Sequence, residues 1–339
     1  MANRKCETYY VSCVFDGADP ELEMYEKVED SLMKLGGIIR SVDGVLFAKR
    51  AVGASTRRAR ALGLDKARRP GDTRSMTPEL RERLENGIKA FIIDMDGVLY
   101  HGDRLLEGAA EFVAWLRRKG KRFLFLTNSS ERSPAELSQK LSRLGIEVEA
   151  EHFYTSALAT ASFLAAQKPR GSAYVIGEPA LTNALYDAGY SMNNVDPDYV
   201  VIGEGRTYSI EGIERAVHLV LQGAGLVGTN PDLSGPSEMG LLPACGALVA
   251  PVELTTGKKA YFVGKPNPLM MRHALKRLSS TREETAIVGD RMDTDIIAGV
   301  EAEIETILVL SGVTTREEMR RFSYAPRHVI EGVFEIPRE

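Results

Sequence analysis

Cysteine is scarce in this chain. Its 339 residues include three, Cys6, Cys13 and Cys245, too few and too scattered for a disulfide framework or a zinc site, so free thiols in a reducing compartment are expected. Long apolar runs are missing as well. The stretch around Tyr9–Phe15 is short and broken by Ser12 and Cys13, which argues against a secretory signal. Ala216–Pro231, one of the longest uncharged runs, carries Gly, Gln and Asn and falls short of a membrane span. Nor does one charge sign dominate: 43 Lys and Arg against 47 Asp and Glu give a net charge of −4 and a pI of about 5.9. Nothing in that balance asks for a nucleic-acid or membrane partner. No internal repeat is evident. The expectation is a cytoplasmic protein with no nucleic-acid or membrane partner and with room for a homo-oligomer.

What is present is ordinary globular material, 44% apolar and 27% charged, enough to bury a core. At ~100–200 residues per domain, the length suggests about two or three domains. From Ala90 onward short apolar strands alternate with amphipathic helices. The expected strands are Ala90–Ile93, Phe123–Thr127, Ala173–Ile176, Tyr199–Ile202, Tyr261–Val263, Thr285–Val288 and Thr306–Leu310. Between them lie helical patterns at Ala109–Arg118, Pro134–Leu144, Leu181–Ala188, Glu211–Leu221 and Pro268–Leu278. This rhythm predicts an α/β fold, a doubly wound parallel sheet with helices on both faces. The active site of such a sheet lies at the carboxyl ends of its strands. The first 87 residues read differently, as a small α+β extension: a strand at Thr8–Phe15, a helix at Pro20–Leu35 and a strand at Val45–Val52. A basic stretch from Lys49 to Arg74 follows, read as a linker or solvated helix.

Four strand ends carry polar residues suited to one chemistry. Phe91-Ile92-Ile93 runs into Asp94-Met95-Asp96-Gly97; a carboxylate buried there without a partner costs several kcal/mol, roughly, so the pair serves a cation or a reaction. Helix capping is the plainer explanation. Phe123–Leu126 runs into Thr127-Asn128-Ser129-Ser130, a hydroxyl, an amide and main-chain N–H groups that could cradle phosphate or simply cap a helix. Gly264-Lys265-Pro266 places a lysine after a strand, where it would offset negative charge if it faces the same edge. Ile287-Val288-Gly289 leads into Asp290-Arg291-Met292-Asp293-Thr294-Asp295, an acid density that suits a hard, oxygen-loving cation such as Mg²⁺ and that can cap a helix at the same time.

Together these motifs resemble the haloacid dehalogenase superfamily, and within it the NagD-like, p-nitrophenylphosphatase-type branch. Thr229-Asn230-Pro231-Asp232, Pro243-Ala244-Cys245-Gly246-Ala247 and Leu308-Val309-Leu310-Ser311-Gly312-Val313 support the closer match, which covers roughly 88–337. The resemblance implies a Rossmann-like phosphatase core at 88–155 and 265–339. It also implies an inserted α/β cap of the C2a type, class IIA, at 156–264, with Thr229–Asp232 and Cys245-Gly246 in loops near the leaving group. It implies Mg²⁺-dependent hydrolysis of a small-molecule phosphate monoester, such as a nucleoside monophosphate, sugar phosphate, phosphoglycolate or p-nitrophenyl phosphate. The roles implied are Asp94 as nucleophile and metal ligand and Asp96 as general acid and base, with its carbonyl on the metal. Asp290 would be a metal ligand, Thr127, Asn128 and Lys265 would bind the phosphoryl group, and Asp295 would support them. Arg291 stands where this branch often has Asn, and would touch phosphate or alter the charge of the site. An acid at position 96 favours hydrolysis over reactions that preserve the aspartyl phosphate. The alternatives are a phosphotransferase or mutase on the same scaffold, and a non-catalytic regulator acting through residues 1–87.

Overall fold

The computed structural model describes residues 6–10, 37–42, 45–51, 76–206, 208–237 and 240–336. The chain divides into two compact units, Met1–Arg74 and Ser75–Glu339.

In the first unit, β1 (Cys6–Tyr10), β2 (Gly37–Val42) and β3 (Val45–Ala51) form an antiparallel sheet with β3 in the middle. Val42 pairs with Val45. Strand β2 was not anticipated. The helix expected at Pro20–Leu35, and the basic stretch beyond Ala51, lie outside the described residues.

The second unit opens with α1 (Pro78–Glu82), capped by Thr77. The core begins with β4 (Ala90–Ile93), a short hairpin of β5 (Tyr100–His101) and β6 (Arg104–Leu105), α2 (Ala109–Arg118), β7 (Arg122–Thr127), α3 (Pro134–Arg143), β8 (Phe153–Thr155) and α4 (Ser156–Gln167). An insertion follows: β9 (Ser172–Ile176), α5 (Pro179–Asp187), β10 (Ser191–Met192), β11 (Tyr199–Ile202), α6 (Ile210–Gln222), β12 (Gly225–Gly228), the hairpin β13 (Ser234–Ser237) and β14 (Gly240–Pro243), α7 (Cys245–Thr256) and β15 (Tyr261–Phe262). The chain then returns through α8 (Pro268–Arg277), β16 (Thr285–Gly289), α9 (Ile297–Glu301), β17 (Glu305–Val309), α10 (Arg316–Met319) and β18 (His328–Ile330).

Two parallel sheets result. The core sheet has the order β18-β17-β16-β4-β7-β8, and the inserted sheet β10-β9-β11-β12-β15. Every strand in the core that was read from the sequence is present, its ends shifted by at most one residue.

Side chains of a strand alternate between faces, and the core sheet shows why its strands read as continuous apolar runs. Phe91, Ile93, Phe125, Val288 and Ile307 enter one cluster with Phe112 and Trp115 of α2 and Leu137 of α3. Ile92, Leu124, Leu126 and Ile287 enter another with Ala157 and Leu164 of α4 and Met271 of α8. Both faces are covered, as parallel sheets require. The second cluster continues into the insertion through Leu181, Val201 and Val227. Helix α4 therefore packs on core elements and on α5 alike.

Residues 76–87, assigned to the extension on sequence grounds, belong to this unit. Met76, Leu80 and Leu84 are buried in the first cluster. Arg83 donates to Glu305 at 2.9 Å and to the Glu283 carbonyl oxygen at 3.2 Å. No helix among the described residues is long and apolar enough to cross a membrane.

Candidate active site

Strand β4 lies between β16 and β7 in the core sheet, so the ends of these three strands set Asp94 between Asp290 and Thr127. The Asp94 N–H donates to the Val288 carbonyl oxygen at 2.9 Å, which prolongs the ladder one residue past the strand and fixes where the carboxylate emerges. Lys265 joins from the segment after β15. Its buried ammonium donates to Asp94 Oδ1 at 2.6 Å, to Asp295 Oδ1 at 2.7 Å and to the Leu126 carbonyl oxygen at 3.0 Å.

The charges here are out of balance. Burial opposes a charged Lys265, but Asp295 and Asp94 outweigh it and hold the ammonium above the usual lysine range. Burial, then the charge of Asp295, push the Asp94 carboxyl up to about 7 in spite of Lys265. Burial, then Asp94 and Asp295, raise Asp290 well above an ordinary carboxylate. Carboxylate oxygens of Asp94, Asp290 and Asp295 lie within 4.8 Å of one another. Two buried acids and the partly buried Asp94 around one ammonium lack positive charge, and hard oxygen donors are what Mg²⁺-type cations take. The donor set therefore fits a divalent metal.

Each acid is held differently. Asp290 Oδ2 accepts from the Val313 N–H at 2.7 Å. The turns on either side of it carry no side chain: a Cβ on Gly97 would come within 2.4 Å of that oxygen, and one on Gly312 within 2.0 Å. Asp295 has both oxygens engaged, one with Lys265 and the other with the Arg291 N–H at 3.2 Å. Asp96 stands apart from the trio, its side chain 45% exposed and its Oδ1 3.4 Å from His101 Nδ1.

The loop after β7 behaves differently from expectation in one respect. Thr127 Oγ1 accepts from the Ser129 N–H at 3.1 Å, which leaves its hydroxyl proton to donate elsewhere. The Asn128 amide is committed. Its Oδ1 accepts from the Lys265 N–H at 2.7 Å, and its Nδ2 donates to the Lys265 carbonyl oxygen and to Asp232 Oδ2, each at 2.9 Å. A substrate can reach this residue through the main chain but not through the side-chain amide without breaking these bonds. Arg291 is likewise tied, donating to both oxygens of Asp293 at 3.0 and 2.8 Å and pairing with Asp232 at 3.3 Å.

The insertion seats its own strand ends here. Asn230 Nδ2 donates to the Asn128 carbonyl oxygen at 2.7 Å. Glu204, two residues past the end of β11, accepts from the Ser130 N–H at 3.0 Å and from Asn230 at 3.2 Å, and burial pushes its carboxyl up to about 7. The sequence reading missed Glu204, although the rule that polar residues after strands matter would have found it. Cys245, expected in a loop near the leaving group, is instead fully buried in the apolar cluster of the insertion; its Sγ donates to the Ile202 carbonyl oxygen at 3.1 Å, and burial pushes the thiol up to about 11.

A family model for haloacid dehalogenase-like hydrolases matches residues 91–191, and a HAD-hydrolase-like model matches 262–336. The chain is 44% identical over 247 residues to a dihydroxyacetone phosphatase of Corynebacterium glutamicum, covering 73% of this chain and 90% of that protein. It is 43% identical over 249 residues to the ribonucleotide monophosphatase NagD of Escherichia coli, covering 74% and 98%. Among solved structures, the 4-nitrophenylphosphatase of Thermotoga maritima superposes with a TM-score of 0.71 at 35% identity, over 73% of this chain and 95% of that one.

Proposed function

The chain belongs to the haloacid dehalogenase superfamily as one of its phosphatases, and from that premise we propose that it hydrolyses small phosphate monoesters with Mg²⁺ through an aspartyl phosphate on Asp94. The observation that carries this reading is the contact of Lys265 with Asp94 and Asp295 inside the acid trio. It sets a partly buried nucleophile beside a fixed positive charge, with a place for a second.

Asp94 and Asp290 would hold the metal, together with the Asp96 carbonyl. Bound there, Mg²⁺ would neutralise the acids and the phosphoryl oxygens and favour ionised Asp94. Asp94 attacks phosphorus and the ester oxygen departs, taking a proton from the Asp96 carboxyl. Asp96 then removes a proton from water, which attacks the aspartyl phosphate and returns Asp94 and free phosphate. Lys265 offsets the charge of the transferring group, and Asp295 keeps the ammonium in place. The Thr127 hydroxyl and the main chain at Asn128 receive phosphoryl oxygens. Arg291 serves the site through Asp232 and Asp293, and any direct contact with phosphate requires it to leave one of them.

Residues 156–264 act as the cap, with α4 shared between cap and core. Its strand ends at Glu204 and Asn230–Asp232 close over the phosphate loop and exclude water. The relatives named above act, by their names, on dihydroxyacetone phosphate, ribonucleotide monophosphates and 4-nitrophenyl phosphate, and the substrate of this chain falls in the same class of small monoesters.

The test is phosphate release from p-nitrophenyl phosphate and a panel of monoesters, with Mg²⁺ and after chelation, by the wild type and Asp94→Asn. Metal-dependent turnover that the substitution abolishes is expected. Turnover by Asp94→Asn above contamination, or full activity after exhaustive chelation, would overturn the reading.

A further inference from the structure

The loop that carries Asp96 folds back on itself at once. The Gly97 N–H donates to the Tyr100 carbonyl oxygen at 2.9 Å, and Asp96 and Tyr100 pair as an isolated bridge. This brings His101, the last residue of β5, beside the Asp96 carboxylate. A second segment closes the arrangement. The Ser311 hydroxyl donates to the Gly97 carbonyl oxygen at 2.7 Å, and the Ser311 carbonyl oxygen lies 2.7 Å from His101 Nε2. A carbonyl oxygen only accepts, so Nε2 carries the proton of that bond. The ring is thereby oriented with Nδ1 toward Asp96 Oδ1, at 3.4 Å.

We propose that His101 is a positioning residue for Asp96: anchored to the loop after β17, it holds the acid carboxyl in place for proton delivery to the leaving group. This rests on the assignment of Asp96 as general acid and deepens that reading. The side chain of Asp96 is nearly half exposed and stands outside the acid trio, so burial alone does not fix its rotamer. A general acid must lie within hydrogen-bond reach of its proton acceptor, and a misplacement of about 1 Å costs on the order of 100-fold. Nδ1 accepts from the protonated Asp96 carboxyl, or donates to the carboxylate when the ring carries both protons; fixed from behind by Ser311, this contact supplies that constraint. It also gives the Ser311–Gly312 loop a second task beside crowding Asp290.

The inference predicts a leaving-group signature. p-Nitrophenolate departs without help, whereas an alkoxide needs the proton. In His101→Ala, kcat on an alkyl phosphate such as glycerol phosphate should fall about 10-fold or more beyond any fall on p-nitrophenyl phosphate, with KM on both esters changed by no more than about 2-fold. Asn at position 101 places an amide near the site of Nδ1 and should recover part of the difference. Gln places its amide near Nε2, can reach Ser311 but not Asp96, and should not. Wild-type turnover of both esters, abolished by Asp94→Asn, establishes the underlying reading independently. With that in hand, equal losses on the two esters in His101→Ala, or recovery by Gln and not by Asn, would overturn the role of His101. A wild type inactive on both esters would remove both readings together.

Discussion

At the scale of single residues, the proposed function rests on acids whose ionisation the fold resists. Asp96→Asn should slow turnover of alkyl esters by about 10²–10⁴-fold, the usual worth of a positioned acid or base, and p-nitrophenyl phosphate by less. Initial rates on the two ester types check this, and equal losses would contradict the acid role. A second prediction concerns pH. Asp94, with its carboxyl raised to about 7, and Asp290, raised in the same direction, bind protons more tightly folded than unfolded. The stability they contribute without metal is fully present below the unfolded carboxyl value and is lost as pH rises toward about 7. Metal-free Tm should therefore fall between about pH 4.5 and 7.5, and Mg²⁺ should raise Tm more at the upper end. A Mg²⁺ increment that is flat or shrinks with pH would refute Asp94 and Asp290 as the metal ligands. Most of these residues were legible because each follows an apolar strand at a carboxyl edge, where a buried acid stands out. The commitment of the Asn128 amide was not legible, since its partners Lys265 and Asp232 are more than a hundred positions away. Nor was His101, which reads alone as an unremarkable loop residue.

At the scale of elements, strands and amphipathic helices followed their periods, and the misses have physical reasons. Helices α4 and α7 are apolar or small-residued around much of their circumference, because both are packed on more than one side, and a helix without a polar stripe gives no 3.6-residue signal. Strand β8 has three residues, too few to show a pattern. Strand β2 was overlooked although Asp43-Gly44, between two apolar runs, is among the strongest short hairpin signals. The turn Asn230–Asp232 shows how elements combine at the site: Asp232 accepts from Asn128 of the core loop and pairs with Arg291 beside the acid trio. Asp232→Ala should leave one buried amide proton unpaired and release one arm of Arg291. The expected cost is about 1–3 kcal/mol, visible as a lowered Tm, together with reduced kcat as the insertion loosens from the phosphate loop. Unchanged Tm and unchanged kcat would show that this turn does not tie insertion to core.

At the scale of the whole molecule, the question is where the catalytic unit begins. The boundary drawn from the sequence, after residue 87, followed the limit of the family motifs. Packing draws it between Arg74 and Ser75. Met76, Leu80 and Leu84 complete the cluster on one face of the core sheet. The Met76 N–H donates to Glu335 at 3.1 Å, and Arg83 pairs with Glu305, which also binds His328 at 2.6 Å. These contacts clamp the start of the unit to strands β17 and β18 and to the turn at Val333–Glu335. Motif matching overlooks such a segment because it holds no chemistry, only apolar area. Two truncations separate the readings. A chain of residues 75–339 should retain kcat on p-nitrophenyl phosphate within about a few-fold, since every residue assigned to the site is kept. A chain beginning at Leu84 loses Leu80, whose removal alone is worth about 2–5 kcal/mol, and also loses Met76 and the Arg83 pairs, so its Tm should drop steeply. Calorimetry of both chains with Mg²⁺ decides the matter. Equal Tm values would mean that residues 75–83 contribute nothing. A 75–339 chain that is folded and binds metal but is inactive would show instead that Met1–Arg74 supplies part of the active site.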